Sequence, residues 1–313
     1  MPFSIGAMAS IIANENALFL GGWSNSHDEA VSKIFSLHLD KNEYCWGMAI
    51  YEDLPLNICY SAAVYDTVGN IFLLGGSDNP YRGATVYDKC FMRKQRDLVI
   101  SYCAPDESDD DEFFATHGLL SSLSKEMYFN YLYEKDNSEI NNWIEIPSMN
   151  TQRCGHCAVQ LFNENIVVLG GYEGGNDYLK SSEMFDKNAG VWIILPDMND
   201  SRSGPGSCIG IDGTVYVFGG SPNGEEGHHS FERLDVREKK WFQLPTNSQK
   251  RGYTSMTITP NSQIVVSGGI VHLNQNNTSI SIYDIRAAKW FHKDDGLNYN
   301  LLNRNSHNCF HVL

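Results

Sequence analysis

"RCGHCAVQLFNENIVVLGG", Arg153 to Gly171, opens on an arginine, passes through small residues and ends in an apolar run closed by two glycines. The same order returns as "RSGPGSCIGIDGTVYVFGG", Arg202 to Gly220, and "RGYTSMTITPNSQIVVSGG", Arg251 to Gly269, each copy beginning 49 residues after the last. Downstream landmarks keep that step: Asp186, Asp235 and Asp284, then Trp192, Trp241 and Trp290. Four features held in register mark an internal repeat, and a repeat governs how any single motif inside it is read.

Each unit predicts four short strands, A to D. Strand A holds small residues after the Arg, strand B is the apolar run before Gly-Gly, strand C is a stretch such as "SSEMFD" or "SISIYD", and strand D opens at Trp. Turn residues separate them. Four strands per unit of about 50 residues is the mark of a β-propeller blade. Small residues such as Gly155, Ala158, Gly204 and Gly206 allow backbones to approach where a blade narrows towards the channel. Gly-Gly supplies a chain exit that a Cβ obstructs, Trp fills the wider space between blades, and Asp forms the turn between strands C and D.

Extended in both directions, the template marks Gly21, Gly22, Asp40 and Trp46 in a first unit and Gly75, Gly76 and Asp88 in a second. The second lacks a Trp, so "DLVISYC", Asp97 to Cys103, is expected as its fourth strand. A segment without Gly-Gly remains from residue 106 to 147, with Trp143 as its outer landmark, and reads as a degenerate third unit. The expected organisation is one domain over residues 1–313, all-β, with six units at 1–55, 56–105, 106–147, 148–196, 197–245 and 246–302. "NRNSHNCFHVL", Asn303 to Leu313, repeats the start of a unit and is expected to close the ring, in competition with "SIGAMASII", Ser4 to Ile12.

The Gly-Gly pairs (Gly21, Gly22, Gly75, Gly76, Gly170, Gly171, Gly219, Gly220, Gly268, Gly269) and the Trp series (Trp46, Trp143, Trp192, Trp241, Trp290) resemble the kelch repeat. That resemblance implies a six-bladed kelch-type β-propeller with four-stranded antiparallel blades. In kelch domains that recruit proteins it further implies a pocket at one channel mouth, lined by the residue after Gly-Gly and the residue after the repeat Arg. Carried over by position, these are Trp23, Ser77, Tyr172, Ser221 and Ile270, with Cys154, Ser203, Gly252 and Asn305. In the second unit the matching position is Ile58. Trp23 and Tyr172 are the natural anchors, while Arg153, Arg202, Arg251 and Arg304, recurring in every copy, are expected to be structural. The family relation implies a protein-interaction module of the ubiquitin-ligase adaptor or cytoskeletal kind. BTB and BACK domains, which usually precede the propeller in such adaptors, are not in the sequence. The rival reading is an enzyme of the sugar-epimerase or metal-dependent specifier type.

Composition agrees with a large binding fold. The chain has 313 residues, 42% of them hydrophobic, and a formal charge of −15, which repels a phosphate backbone. A protein or peptide ligand, with basic character, is therefore expected, and neither nucleic acid nor membrane. No run of 18 apolar residues or secretory leader is seen, so the cytoplasm is the expected location. Eight cysteines are thinly spread and read as reduced thiols. Cys154-Gly-His-Cys157 has the spacing of a disulfide-exchange motif, but by the repeat it lies on strand A. The odd separation there sends the thiols to opposite faces, so redox chemistry is not expected. "DESDDDE", Asp106 to Glu112, is expected as a solvated loop, and Glu225, Glu226, His228 and His229 are residue types that bind zinc or iron, but as adjacent ligands on a flexible loop they are not expected to converge on a metal. No cofactor and no catalytic constellation is assigned.

Overall fold

The computed structural model describes residues 5–13, 16–39, 44–48, 53–81, 83–94, 143–175, 177–273 and 275–293. These residues form five four-stranded antiparallel sheets and no helix, with the strands of each sheet in simple meander order. Blade I holds Ala9–Ala13, Asn16–Leu20, Ile34–Leu39 and Tyr44–Met48. Blade II holds Ala62–Tyr65, Ile71–Ser77, Val86–Arg93 and Ile144–Ile146. Blade III is Cys157–Gln160, Ile166–Leu169, Ser182–Asp186 and Val191–Leu195. Blade IV is Gly206–Ile209, Val215–Phe218, Phe231–Asp235 and Lys240–Leu244. Blade V is Ser255–Ile258, Gln263–Ser267, Ile280–Asp284 and Lys289–Lys293.

The A strands of consecutive blades are neighbours, so the sheets stack face to face around a common axis as a β-propeller. This stacking explains why the B strands are apolar without alternation: each face of the sheet is covered by another blade. Ile166, Val167, Val168 and Leu169 are all fully buried. Val167 and Leu169 join the core shared with blade IV, and Ile166 and Val168 the core shared with blade II.

Trp143, Trp192, Trp241 and Trp290 occupy these blade junctions. Trp290 of blade V packs on Phe218 and Phe231 of blade IV at centroid distances of 5.1 and 5.2 Å. The indoles of Trp192, Trp241 and Trp290 also tie to the preceding blade's exit, Trp192 Nε1 donating to Pro147 O, Trp241 to Pro196 O and Trp290 to Pro245 O, at 2.7, 2.9 and 2.7 Å. The turn role of the repeat Asp also holds: Asp186 Oδ1 accepts from the amides of Asn188 and Ala189, and Asp284 Oδ1 from those of Arg286 and Ala287.

Two expectations about strands are corrected. The outer place in blade II is taken by Ile144–Ile146, which pairs with Cys90, Phe91 and Met92. Trp143 packs into the core between blades I and II, so it is the outer-strand Trp of blade II and does not mark a separate third unit. Residues 95–142, with "DLVISYC" and Asp106 to Glu112, lie outside the described residues, and five blades are present among those that are described. The inner place in blade I is filled by Ala9–Ala13 in full register with Asn16–Leu20. Residues 303–313, expected there, lie outside the described residues.

Candidate functional site

At the start of every A strand one residue is held in the left-handed region: Ala7, Tyr60, Gly155, Gly204 and Tyr253, with φ between 49° and 67° in each case (53°, 54°, 59°, 62° and 52°). This conformation aims the backbone at the next blade. Tyr60 N donates to Ala7 O at 2.9 Å, Gly155 N to Tyr60 O at 2.8 Å, Gly204 N to Gly155 O at 2.6 Å and Thr254 N to Gly204 O at 3.3 Å. A girdle of inter-blade hydrogen bonds thus runs from blade I to blade V along the channel, on the side of the loops joining strands B and C. Inside it is a cavity of about 90 Å³, lined by these left-handed residues and by the one that follows each, namely Met8, Ser61, His156, Pro205 and Thr254.

Among the described residues this lining carries no ionised side chain. Burial and the nearby Arg153 charge push the His156 pKa down to about 3, so its imidazole is neutral. Burial pushes the Tyr253 phenol up to about 12 and raises that of Tyr60. The Ser61 hydroxyl and both ring nitrogens of His156 are closed to solvent, and the His156 ring packs against Gly75 of blade II, so these groups do not face the cavity.

The residues expected at the channel mouth form one layer above this girdle, where the two sets pair with each other. Cys59 bridges Ser77, Cys154 bridges Tyr172, Ser203 bridges Ser221 and Gly252 bridges Ile270. In blade II the matching residue is therefore Cys59; Ile58 takes the Arg place, its carbonyl accepting from Gly22 N as Arg153 O accepts from Gly76 N. Ser77, Cys154, Ser203, Ser221 and Gly252 are buried, whereas Tyr172 and Ile270 are half-buried. Trp23 is 8% exposed, packs with Ala7, Ala30 and Cys59, and supports the exposed Tyr81 edge-on at 5.7 Å. Asn305 lies outside the described residues.

The described repeat arginines, Arg153, Arg202 and Arg251, are buried, and Arg304 lies outside the described residues. Arg153 is fully buried and donates within its own blade to Gly170 O at 2.7 Å and Glu183 Oε1 at 2.7 Å. Arg202 makes the same contacts to Gly219 O and Glu232 Oε1 at 2.6 and 2.7 Å. Arg251 reaches Gly268 O, Gln249 Oε1 and the hydroxyls of Ser279 and Ser281. The Gly-Gly pair completes the stitch. At Gly170, φ is +64° and an added Cβ would lie 2.4 Å from Arg202 O, so only glycine lets the blades close.

Residues 119–312, more than half of the chain, match the family described as the KLHDC2/KLHL20/DRC7 Kelch-repeats domain. The chain belongs to the kelch-repeat family. No curated protein matches it. A kelch propeller is a scaffold for protein interaction, and here the scaffold's central opening and loop rim are the candidate interface.

Within this kelch propeller the Cys-Gly-His-Cys stretch holds no dithiol. Cys154 faces blade II, where Ser77 and Cys59 act on it, and Cys157 faces blade IV, where Ser207 and Cys208 lie. Burial pushes their pKa values up to about 12 and about 11. Glu226 contacts Lys250 at 3.4 Å and His272 at 3.9 Å, while His228 Nδ1 shares a hydrogen bond with Ser230 Oγ. Among the described residues no three His, Cys, Asp or Glu side chains converge as metal ligands. The sequence reading passed over Ser61, His156, Tyr60 and Tyr253, and the buried Glu183 and Glu232. The signal for Tyr253 was the 49-residue step itself, which lays it over Gly155 and Gly204.

Proposed function

We propose that this kelch propeller captures a protein or peptide of basic character on the face carrying its B–C loops. The observation that carries the reading is the charge of that rim. Asp28, Glu29, Asp177 and Glu225 are exposed there, with Glu173 and Glu226 half-buried beside them. The nearby lysines are already engaged: Lys33 with Asp53 at 2.8 Å, Lys180 with Asp197 at 3.6 Å and Lys250 with Glu226 at 3.4 Å. Tyr81, 60% exposed, donates to Asp28 Oδ1 at 3.3 Å, which puts an aromatic ring next to a carboxylate, an arrangement suited to a Lys or Arg side chain.

The cavity lining supports the capture reading: among the described residues it holds one histidine that burial keeps neutral, hydroxyl-bearing side chains and no carboxylate. The net charge of −15 argues against nucleic acid. In this reading the propeller is the recognition part of a larger cytoplasmic assembly, of the substrate-adaptor or cytoskeletal kind.

The test is selection of random peptides displayed on phage against the wild type and against a variant with Asp28→Asn, Asp177→Asn and Glu225→Gln. Enrichment of Lys- and Arg-rich sequences that bind the variant at least tenfold more weakly supports the proposal. Enrichment of neutral or acidic sequences, or equal binding to both proteins, refutes it.

A further inference from the structure

The meander order of each blade puts its A–B and C–D turns at one end of the propeller and its B–C loop at the other. Contacts join the two kinds of turn: Lys187, in the C–D turn of blade III, meets Glu164 of the A–B turn at 2.8 Å, and in blade V Ile285 N donates to Ser262 O at 3.4 Å. The A–B turns of blades III, IV and V are each closed by one hydrogen bond, from Leu161 N to Asn165 O, Gly210 N to Thr214 O and Thr259 N to Gln263 O, all at 2.8 Å. The first residues inside these turns are Phe162, Ile211 and Pro260, one repeat step apart. All three are exposed, Phe162 and Ile211 at 68% each. A turn needs no bulky apolar residue there, and the same place on successive blades makes a patch rather than scattered single residues. Phe162 leans onto the next turn: a Cβ added to Gly213 would lie 3.7 Å from its Cδ2, two residues from Ile211.

The C–D turns of blades IV and V are basic, although the chain is acidic. Residues 233–240 and 284–289 hold six cations against three carboxylates, in a protein of net charge −15. Asp235 is engaged by Arg237 at 3.1 Å and Asp284 by the amides of Arg286 and Ala287. Among the described residues, the exposed Lys239, Lys240, Arg286 and Lys289 and the half-buried Arg233 make no ion pair, whereas Lys187 of blade III has two. Arg233 and Lys240 both lie over the Phe242 ring, 4.8 and 5.1 Å from its centroid. Two like charges therefore share one aromatic ring with no carboxylate paired to either, and an anion brought there relieves their repulsion.

We infer that the end of the propeller formed by the A–B and C–D turns of blades III to V docks a second protein partner, through an Asp- and Glu-rich segment that also carries a bulky apolar residue. The apolar residue covers Phe162 and Ile211, and the carboxylates meet Arg233, Lys240 and Lys289, giving the apolar centre and polar rim of a protein interface. Nucleic acid or an anionic lipid surface fits less well, because Glu164, Asp212 and Glu238 stand in the same turns and the rest of the chain is acidic. The inference does not depend on the B–C reading and extends it: with docking surfaces of opposite charge at its two ends, the propeller bridges a basic partner and an acidic one.

The test is selection of random peptides displayed on phage against the full chain, each enriched peptide then being measured on three variants: Lys240→Gln with Lys289→Gln, Phe162→Ser with Ile211→Ser, and the rim variant Asp28→Asn, Asp177→Asn, Glu225→Gln. The expected result is a pool rich in Asp, Glu and Phe or Leu that binds each of the first two variants at least tenfold more weakly and the rim variant as tightly as the wild type. Lys240→Arg with Lys289→Arg is expected to retain binding within about twofold, which separates lost charge from lost folding, and raised salt is expected to weaken it. Absence of an acidic pool, an acidic pool indifferent to both pairs of substitutions, or one lost only on the rim variant would overturn the inference. Phosphatidylserine vesicles bound more tightly than any acidic peptide, and released by the same lysine substitutions, would overturn it in favour of a membrane contact. A basic pool that needs the rim, with no acidic pool, would remove this inference and leave the B–C reading standing; an acidic pool without a basic one would do the reverse.

Discussion

Arg153 and Glu183 meet at 2.7 Å between Nη2 and Oε1 with neither side chain more than 1% exposed. Glu183 also accepts from Asn150 N, Asn150 Nδ2 and Thr151 N, at 2.7, 2.9 and 3.0 Å, so one carboxylate fixes both the arginine and the chain entering blade III. Glu183→Ala leaves a buried guanidinium without its counter-charge and is expected to cost about 3–5 kcal/mol in urea unfolding. The double change Arg153→Met, Glu183→Leu removes both charges and is expected to cost clearly less; an equal loss would contradict the account of the pair.

Gly170 is the point where a side chain has nowhere to go. Gly170→Ala combines a left-handed backbone with a Cβ 2.4 Å from Arg202 O and is expected to cost at least about 2 kcal/mol. Gly190→Ala, at φ +67° with nothing within 4 Å of its Cβ, bears the conformational cost alone and is expected to lose less. Equal melting temperatures for the two variants would show that blade closure at Gly170 tolerates a side chain.

Acid sensitivity follows from the cluster of Lys187, Asp66 and Glu164, where the ammonium lies 2.9 Å from the first carboxylate and 2.8 Å from the second. Burial pushes the Asp66 pKa up, but hydrogen bonds from Lys187 and Asn70 outweigh it and hold the group below its ordinary value. The hydrogen bond from Lys187 and that from Thr67 lower Glu164. Burial lowers Lys187, and its two carboxylates more than restore it, leaving the group above its ordinary value. The two carboxylates therefore stabilise the fold above about pH 4 and lose that effect as pH falls through their depressed folded values. Lys187 contributes below its unfolded value and loses its contribution as pH rises through its raised folded value. Lys187→Met is expected to flatten the acid limb of stability against pH, and an unchanged limb would count against the cluster.

The thiols of Cys154 and Cys157 are expected to be slow nucleophiles. With pKa values near 12 and near 11, their thiolate fraction at pH 8 is at least roughly a hundredfold below that of a free cysteine. Alkylation by iodoacetamide, followed by mass spectrometry of native and unfolded protein, measures this. Rapid native labelling of either residue, or a Cys154–Cys157 disulfide, would reopen a redox role.

Repeat spacing in the sequence carried the Gly-Gly exits, the Asp turns and the inter-blade Trp residues of the last three blades, because each answers a local demand that recurs there every 49 residues, and the same motif marked the exits at Gly21 and Gly75. Strand partnership was less legible. Blade II takes its outer strand from Ile144–Ile146, far from Val86–Arg93 in sequence, and a fixed step cannot bridge that interval. At the start of the chain, Ala9–Ala13 carries the inner-strand role without a described Arg before it. The two sets of expected mouth residues pair with each other as backbone bridges, which their positions after Arg and Gly-Gly did not reveal.

The central claim is that a basic partner binds across the B–C loop face. Amide hydrogen exchange with a selected Lys- and Arg-rich peptide, compared with the free protein, tests it most directly. Protection of the Trp23–Ala30, Tyr172–Tyr178 and Ser221–His229 segments together is the predicted result. Protection confined to the opposite A–B turns, where Phe162 and Ile211 are each 68% exposed, would contradict it.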